Sequence, residues 1–174
     1  MNSTVIFDVT QAGYKSYLFP AVGLIAVATG LYYLYLHFSN HPRKLPVVTI
    51  LLGKPPLWFS CVFFGFACLW TTIAFKSTYS DYKELRSAFE LGQCKLVDGE
   101  VENFQTNVKE RGQDEESFDV GDAHFSYSSN IINAGYNTTT YQGGQLREGL
   151  HVRIHRCALG IARIEIVEDA TMKN

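Results

Sequence analysis

The chain lacks most of the sequence signals that mark enzymes and nucleic-acid-binding proteins. It has no glycine-rich phosphate-binding motif followed by Lys, and its four Cys residues show no zinc-ligand spacing. Its 15 Lys and Arg are outnumbered by 17 Asp and Glu, which argues against binding duplex nucleic acid through bulk positive charge. The sequence therefore predicts a protein that is not an enzyme and that uses neither a metal ion nor a cofactor.

Charge is also missing from two long apolar segments. No Asp, Glu, Lys or Arg lies between Lys15 and Arg43, or between Lys54 and Lys76. A helix of about 20 apolar residues crosses a bilayer, so we expect two transmembrane helices and both termini on one side. A signal peptide followed by a buried core helix is the alternative. It is disfavoured because the chain start has no basic residue and the cleavage-like Ala26-Val27-Ala28 lies inside the apolar run.

The balance of charge differs between the two ends of the chain. Residues 1–76 hold five basic residues and one acid (5 − 1 = +4), whereas residues 77–174 hold ten and sixteen (10 − 16 = −6). The basic residues flanking the spans are too evenly divided to set the orientation. The predicted parts are a two-helix transmembrane domain (1–76), a connecting helix (77–93) and a soluble β-domain (94–174).

The cysteines bear on the side of the membrane. Cys94 and Cys157, the two that lie outside the apolar segments, do not form the pattern of a small disulfide framework. The absence of such a framework favours a reducing compartment, so we expect the C-terminal domain to be cytoplasmic.

The connecting segment has the spacing of an amphipathic helix. Tyr82, Leu85 and Phe89 recur at i, i+3 and i+7, and Gly92 is a suitable stop. No Pro or Gly separates this helix from the second span. Either the two form one continuous rod or a break occurs at Ser77–Ser80, and both remain open.

The rest of the chain alternates apolar and polar residues as β-strands do. We expect a first strand over residues 94–104 with a bulge or bend at Gly99, and a charged loop over residues 105–115. Hairpins follow around Gly121-Asp122 and around Ala158-Leu159-Gly160. Five short strands predict a small antiparallel β-barrel or curled sheet, and hence an α+β membrane protein overall.

The first predicted hairpin carries a group of residues that resembles a catalytic set. Counting outward from the turn pairs Asp119 with His124 and Ser117 with Ser126, so all four share one face. Neighbouring positions on an exposed strand pair offer neither an oxyanion hole nor a sheltered nucleophile. We therefore do not expect hydrolytic activity.

The segment Ser128–Gly149 between the hairpins is dense in Asn, Thr, Tyr, Gln and Gly. A loop of this length in a compact domain is usually functional or disordered, and its Tyr and Gly residues argue against disorder. Amides and hydroxyls donate and accept hydrogen bonds, Tyr offers a stacking face, and basic side chains follow in the next strand. This composition suits a small phosphodiester ligand. The candidate ligand-binding residues are Tyr136, Asn137, Thr138, Tyr141, Gln142, Arg147, His151 and Arg153.

Two simpler interpretations stay open. The basic side chains from Arg147 to Arg163 form an ordinary solvated strand face if they pair with Glu165 and Glu168. The polar segment would then be a well-formed surface loop without a ligand.

Five motifs together resemble a bacterial β-domain family that mostly lacks an assigned function. They are Val101-Glu102-Asn103-Phe104, Glu116-Ser117-Phe118-Asp119-Val120, Phe125-Ser126-Tyr127-Ser128, Gly135-Tyr136-Asn137 and the run from Gly143 to Ile154. The resemblance covers residues 94–167. The arrangement of two spans followed by such a domain is also similar to a CRISPR-associated membrane effector, in which a cytoplasmic domain binds cyclic tetra-adenylate and perturbs the membrane part.

The second resemblance implies an antiviral effector in the bacterial inner membrane that works as a homo-oligomer, most simply a tetramer matching the four-fold ligand. It implies that Arg147 and Arg153 contact phosphates, that Tyr136 or Tyr141 stacks on adenine, and that Asn137 and Gln142 contact base edges. The bilayer and the cyclic oligoadenylate would be its partners, and duplex nucleic acid would not. The alternative is a membrane-tethered β-domain that acts as a structural or protein-interaction module with no nucleotide ligand.

Overall fold

The computed structural model describes residues 2–39, 55–109 and 113–168, which form two compact units. A helical unit contains residues 17–77. A second unit, called the β-domain below, combines the residues up to Ser16 with those from Thr78 onward. The elements are β1 (Asn2–Asp8), α1 (Val9–Ala12), α2 (Leu18–Phe38), α3 (Leu57–Glu90), β2 (Lys95–Lys109), β3 (Gln113–Val120), β4 (Ala123–Ser128), a 3₁₀ turn (Thr140–Gln142), β5 (His151–Cys157) and β6 (Gly160–Glu168).

Helices α2 and α3 contain the two apolar segments, and both are long and apolar enough to cross a membrane, as predicted. Only 22% of the most apolar window of each helix is buried, whereas the core helix of a soluble protein would be mostly buried. The two helices approach closely at Gly30, where an added Cβ would lie 3.0 Å from the Cα of Phe64. Small residues at such a contact let helix backbones pack together in an apolar solvent.

Helix α3 is continuous from Leu57 to Glu90, so a break at Ser77–Ser80 does not occur. The helix ends in a Schellman motif at Gly92, which is the residue that the sequence predicted as its stop. Gly92 has φ 69°, and the N–H of Gln93 donates to the carbonyl of Ala88 over 2.9 Å. The amphipathic pattern near this end is confirmed, because Tyr82 and Leu85 are buried in the core of the β-domain.

The β-domain contains one six-stranded antiparallel sheet in the order β1-β6-β5-β2-β3-β4. Over the described residues the sheet is not closed, with β1 and β4 at its two edges, so the predicted alternative of a closed barrel is not formed. Strand β2 is shared, because its first half pairs with β5 and its second half with β3. The partner changes between Glu100 and Val101, next to Gly99, where an added Cβ would lie 3.1 Å from Val120.

Both predicted hairpins are confirmed, the first of them with its register. In the first, Val120 pairs with Ala123 and Phe118 with Phe125 across a turn in which Gly121 has φ 56°. The aromatic rings of Phe118 and Phe125 stack with centroids 5.2 Å apart inside the core. In the second hairpin Val152 and Ile154 are fully buried, while the residues that alternate with them are partly exposed.

The prediction of a charged loop over residues 105–115 is wrong. Residues 105–109 continue β2 and pair with the first residues of β3, from Gln113 to Ser117. The strands extend because the backbone hydrogen bonds of an antiparallel pair require no apolar side chains. The bulge in β2 is at Asn103-Phe104, where the register shifts, and not at Gly99.

The sequence analysis also missed strand β1. Residues 2–8 pair with β6, with Phe7 opposite Ile164 and Asp8 opposite Arg163. Asp8 then caps α1 by accepting a hydrogen bond from the N–H of Thr10 over 2.8 Å. The β-domain is therefore built from both ends of the chain, on either side of the apolar helices in sequence.

Cys94 and Cys157 are bonded, although their spacing lacks the pattern of a small disulfide framework. The two form a disulfide that joins the start of β2 to the end of β5, where Lys95 pairs with Arg156. Cys61 and Cys68 in α3 are free. The pairing could not be anticipated from the spacing, because the two residues are 63 apart and meet only through the β2–β5 ladder. The prediction of a reducing compartment depended on the lack of a disulfide pattern, so the bond removes its basis.

Candidate functional site

The β4–β5 loop (residues 129–150) is attached to the sheet by one buried carboxylate. Glu116 of β3 is fully buried, and its Oε2 accepts a hydrogen bond from the hydroxyl of Tyr127 over 2.5 Å. Its Oε1 accepts from the backbone N–H of Thr140 over 2.7 Å and from the Thr140 hydroxyl. Three donors satisfy the carboxylate in a site without water contact, so the loop is held in one conformation. Burial raises the pKa of Tyr127, and the bond to Glu116 adds to that shift.

Glycines let the loop pack closely on itself and on β6. The N–H of Gly144 donates to the carbonyl of Thr139 over 2.8 Å, and an added Cβ there would lie 2.8 Å from the carbonyl carbon of that residue. At Gly135 an added Cβ would lie 2.9 Å from the carbonyl oxygen of Ile161. These positions have no room for a side chain, so the glycines serve the packing of the loop.

The two candidate stacking tyrosines have opposite environments. Tyr136 is buried, and its ring contacts those of Phe7 and Tyr127 with centroid separations of 5.6 and 5.1 Å. Burial raises the pKa of Tyr136 to about 12. Its ring belongs to the core and offers no free face to a solute. Tyr141 is 85% exposed and is the tyrosine of this loop that can stack on a ligand.

The polar candidates of the loop are spread over its surface. Asn137 is half-buried, and its amide nitrogen donates to the carbonyl of Ile131 over 3.3 Å. Thr138 is half-buried, and Gln142 is exposed. Arg147 is exposed and makes no hydrogen bond or ion pair with any residue that the structure describes. Its guanidinium is therefore available to an anion.

His151 and Arg153 are brought together on β5, but around an acidic partner. His151 Nε2 lies 2.7 Å from Asp98 Oδ1, and Arg153 Nε donates to Asp98 Oδ2 over 2.8 Å. Hydrogen bonds from His151 and then Arg153 hold the pKa of Asp98 below its ordinary value. The cationic charge of Arg153 is largely neutralised within the sheet. In the part of the chain that the structure describes, no contact joins this pair to the candidates in the β4–β5 loop.

Arg163 is paired in the same way. Its guanidinium lies 2.6 Å from a carboxylate oxygen of Glu165 and 3.5 Å from one of Asp8. Across from it, His155 is partly buried and its ring contacts that of Phe89 with centroids 5.2 Å apart. Burial, followed by the nearby charge of Arg163, lowers the pKa of His155. This face of the sheet matches the predicted alternative of a paired strand face, although Asp98 supplies one of the carboxylates.

A second polar network contains the predicted Asp119–His124 pair, but its members Asn103 and Glu148 were missed by the sequence analysis. Asn103, in the bulge of β2, has φ 54°, and Glu148 accepts hydrogen bonds from the N–H groups of Asn103 and Phe104 over 3.1 and 2.6 Å. The amide of Asn103 donates to Asp119, whose other oxygen lies 2.6 Å from His124 Nδ1. Asn tolerates a positive φ better than other non-glycine residues, which is the one signal in the sequence for this bulge.

The histidine of this network faces solvent. The side chain of His124 is 67% exposed, and its hydrogen bond to Asp119 lowers the pKa of the carboxyl group. Among residues 2–39, 55–109 and 113–168, no group of three His, Cys, Asp or Glu side chains is placed to hold a metal ion. The network instead fixes the bulge of β2 beside Arg147.

Comparison with known proteins adds no relative. No protein-family model, curated protein or solved structure matches the chain. The resemblances drawn from the motifs of residues 94–167 and from the two-span arrangement stay predictions.

Proposed function

We propose that the chain is a membrane-anchored interaction module, in which α2 and the apolar part of α3 span the bilayer and the β-domain is presented at one membrane surface. The observation that carries this proposal is the pairing of β1 with β6. The segments before the first apolar helix and after the second belong to one folded domain, so they lie on the same side of any membrane. A chain that crosses the membrane twice has both segments on the same side, whereas a chain that crosses once has them on opposite sides.

The same pairing argues against a cleaved signal peptide. Removal of the first apolar segment would also remove β1, leaving Ile164 and Ile166 of β6 without the strand that they pair with. The exposure of large apolar side chains on both helices also supports spanning. Ile25 is 68% exposed on α2 and Val62 is 63% exposed on α3, which is costly in water and favourable among lipid chains.

The disulfide supports a non-cytoplasmic position for the β-domain. Disulfides persist in oxidising compartments and are rare in the cytosol. Cys94 and Cys157 are bonded, while Cys61 and Cys68, both in α3, are free. The prediction of a cytoplasmic C-terminal domain is therefore replaced, in this proposal, by a domain that faces outward.

Protease protection tests this proposal. We would place one tag before β1 and another after β6, and compare intact spheroplasts with inside-out vesicles. Digestion of both tags in spheroplasts alone is the expected result. Digestion of the two tags from opposite faces would overturn the two-span arrangement, and digestion of both in inside-out vesicles alone would overturn the outward-facing domain.

A second candidate function is favoured by the free guanidinium of Arg147. In the β4–β5 loop this exposed cation accompanies the exposed Tyr141 and Gln142, a set that suits a phosphodiester with a base to stack upon. The ligand that the resemblance implies is cyclic tetra-adenylate, bound by a cytoplasmic β-domain of a homotetramer. Binding would have to favour one arrangement of the helices in order to perturb the membrane.

Ligand binding to the full chain in lipid nanodiscs separates the two candidates. The receptor predicts saturable retention of fluorescent cyclic tetra-adenylate, lost in Arg147→Ala and kept in Lys95→Ala, which removes an equally exposed cation from β2. No retention by the unmodified chain would reject the receptor and leave the interaction module. Equal retention by both variants would reject the role of Arg147.

A further inference from the structure

Two adjacent isoleucines in the β4–β5 loop are exposed although the β-domain has a well-filled core. Ile131 is 53% exposed and Ile132 is 46% exposed, whereas Ile154, Ile161 and Ile164 are buried. Single exposed apolar residues are common on protein surfaces, whereas two neighbouring ones in a loop offer a small apolar surface to a partner.

The position of these isoleucines is fixed by a hydrogen bond to the segment that precedes α2. The hydroxyl of Ser16 donates to the carbonyl of Asn133 over 3.0 Å. Ser16 lies two residues before Leu18, the first residue of α2. Consecutive Cα atoms are about 3.8 Å apart, so Ile132 and Ile131 lie within about 4 and 8 Å of Asn133 along the chain. The exposed isoleucines therefore lie beside the point where the chain enters its first apolar helix.

The segment before α2 also contacts α3 at Thr78 and Tyr79, the first residues of that helix that belong to the β-domain. The Tyr14 hydroxyl lies 2.5 Å from the hydroxyl of Thr78, and the rings of Tyr14 and Tyr79 are in edge-to-face contact at 5.7 Å. Tyr79 is 48% exposed, and Lys83 Nζ lies 5.7 Å from the centre of its ring. Tyr and Lys together at the end of an apolar segment are typical of the membrane–water interface.

We propose that residues 129–133 form a membrane-contact loop, in which Ile131 and Ile132 insert into the interfacial layer of the bilayer. The inference rests on the proposal that α2 and α3 span the membrane. Lipid is the occupant favoured over a protein because the Ser16–Asn133 hydrogen bond attaches the loop to the segment that leads into α2, and Tyr14 of that same segment contacts Thr78, where α3 enters the β-domain. The loop would fix how the β-domain stands on the membrane, in addition to the tether that the helices supply.

Depth-dependent fluorescence quenching in the full chain tests the proposal. In a Cys61→Ala/Cys68→Ala background, an environment-sensitive fluorophore is attached to Ile132→Cys, and nanodiscs are prepared with nitroxides near the lipid headgroup or deep in the acyl chains. The matched control is Leu91→Cys, which replaces a residue that is 69% exposed. Leu91 follows the end of α3, 13 residues and about 20 Å of helix beyond Thr78. A label at Ile25→Cys reports whether α2 spans the bilayer.

The expected result is a blue-shifted emission at residue 132 that headgroup-proximal nitroxides quench, with little lipid quenching at residue 91. Equal quenching at 132 and 91, or a label at 132 that is shielded from water but insensitive to lipid nitroxides, would overturn the proposal. The second pattern would indicate a protein partner. Nitroxides deep in the acyl chains quench the label at residue 25 if α2 spans the bilayer. This label therefore shows whether a negative result at residue 132 refutes only the membrane-contact loop or also the spanning helices.

Discussion

Breaking the disulfide between Cys94 and Cys157 is the perturbation with the clearest expected magnitude. The bond closes a loop with a sequence separation of 63 residues. Restricting the unfolded chain contributes about 3 kcal/mol for a 15-residue loop and about 4.7 kcal/mol for a 100-residue loop, so this bond contributes about 4 kcal/mol. Since 1.4 kcal/mol is a factor of ten, Cys94→Ser should raise the unfolded fraction of the β-domain about a thousandfold.

Pulse proteolysis of the full chain in nanodiscs, over a series of urea concentrations, measures this change. With a urea dependence of about 2 kcal/mol/M, the midpoint of Cys94→Ser should fall by about 2 M. The matched control is Cys61→Ser, which replaces a free cysteine and should leave the midpoint of the β-domain unchanged. If the two variants had the same midpoint, the reasoning about the cross-link would be refuted.

Thiol labelling in intact cells tests the compartment with the same residues. A maleimide polymer added without reductant should label at most the free Cys61 and Cys68, and labelling of Cys94 and Cys157 should require prior reduction. Cysteine oxidation in the cytosol is opposed by glutathione and thioredoxin. Immediate labelling of all four residues would contradict the bond, and absence of labelling of Cys94 and Cys157 after a membrane-impermeant reductant would contradict the outward-facing β-domain.

Three further predictions concern the β4–β5 loop and the partly buried histidine. Glu116→Ala removes the acceptor of three hydrogen bonds and leaves the buried Tyr127 hydroxyl unpaired at a cost of about 1–3 kcal/mol, so limited proteolysis should cut the loop faster, whereas Glu102→Ala on the exposed part of β2 should not change the rate. Gly144→Ala forces a methyl group against the backbone of Thr139, and its thermal midpoint should fall; an unchanged midpoint would show that the loop adapts. The lowered pKa of His155 means that the unfolded chain binds a proton more readily than the folded chain. Stability should therefore fall as pH drops below about 6.5, and thermal melts of His155→Gln should show a weaker fall; an equal fall in both proteins would assign the pH dependence to other groups.

The parts of the fold that the sequence predicted correctly depend on local patterns. The two apolar segments needed only their length and lack of charge, and the stop at Gly92 needed only a residue that tolerates a positive φ. The hairpin around Gly121-Asp122 was predicted to the residue because a two-residue turn sets the register of both strands. Each of these features is decided by residues a few positions apart.

The candidate site was predicted less well because it depends on partners that are distant in sequence. Tyr136 was chosen as a stacking residue, and its ring is buried between Phe7 of β1 and Tyr127 of β4. Arg153 was chosen as a phosphate ligand, and it is paired with Asp98, 55 residues away. An isolated sequence shows that a side chain is aromatic or cationic, but not whether another segment already occupies it.

The sequence by itself determined that this chain has two helices suited to a membrane, a following amphipathic segment and antiparallel hairpins, because hydropathy, periodicity and turn chemistry act over short distances. The tertiary structure decided that β1, which precedes both apolar helices in sequence, pairs with β6, that Cys94 is bonded to Cys157, and that Glu116 holds the β4–β5 loop. These contacts join residues that no local pattern connects, and their free energy comes from burial and hydrogen bonding that exist only after the strands have paired.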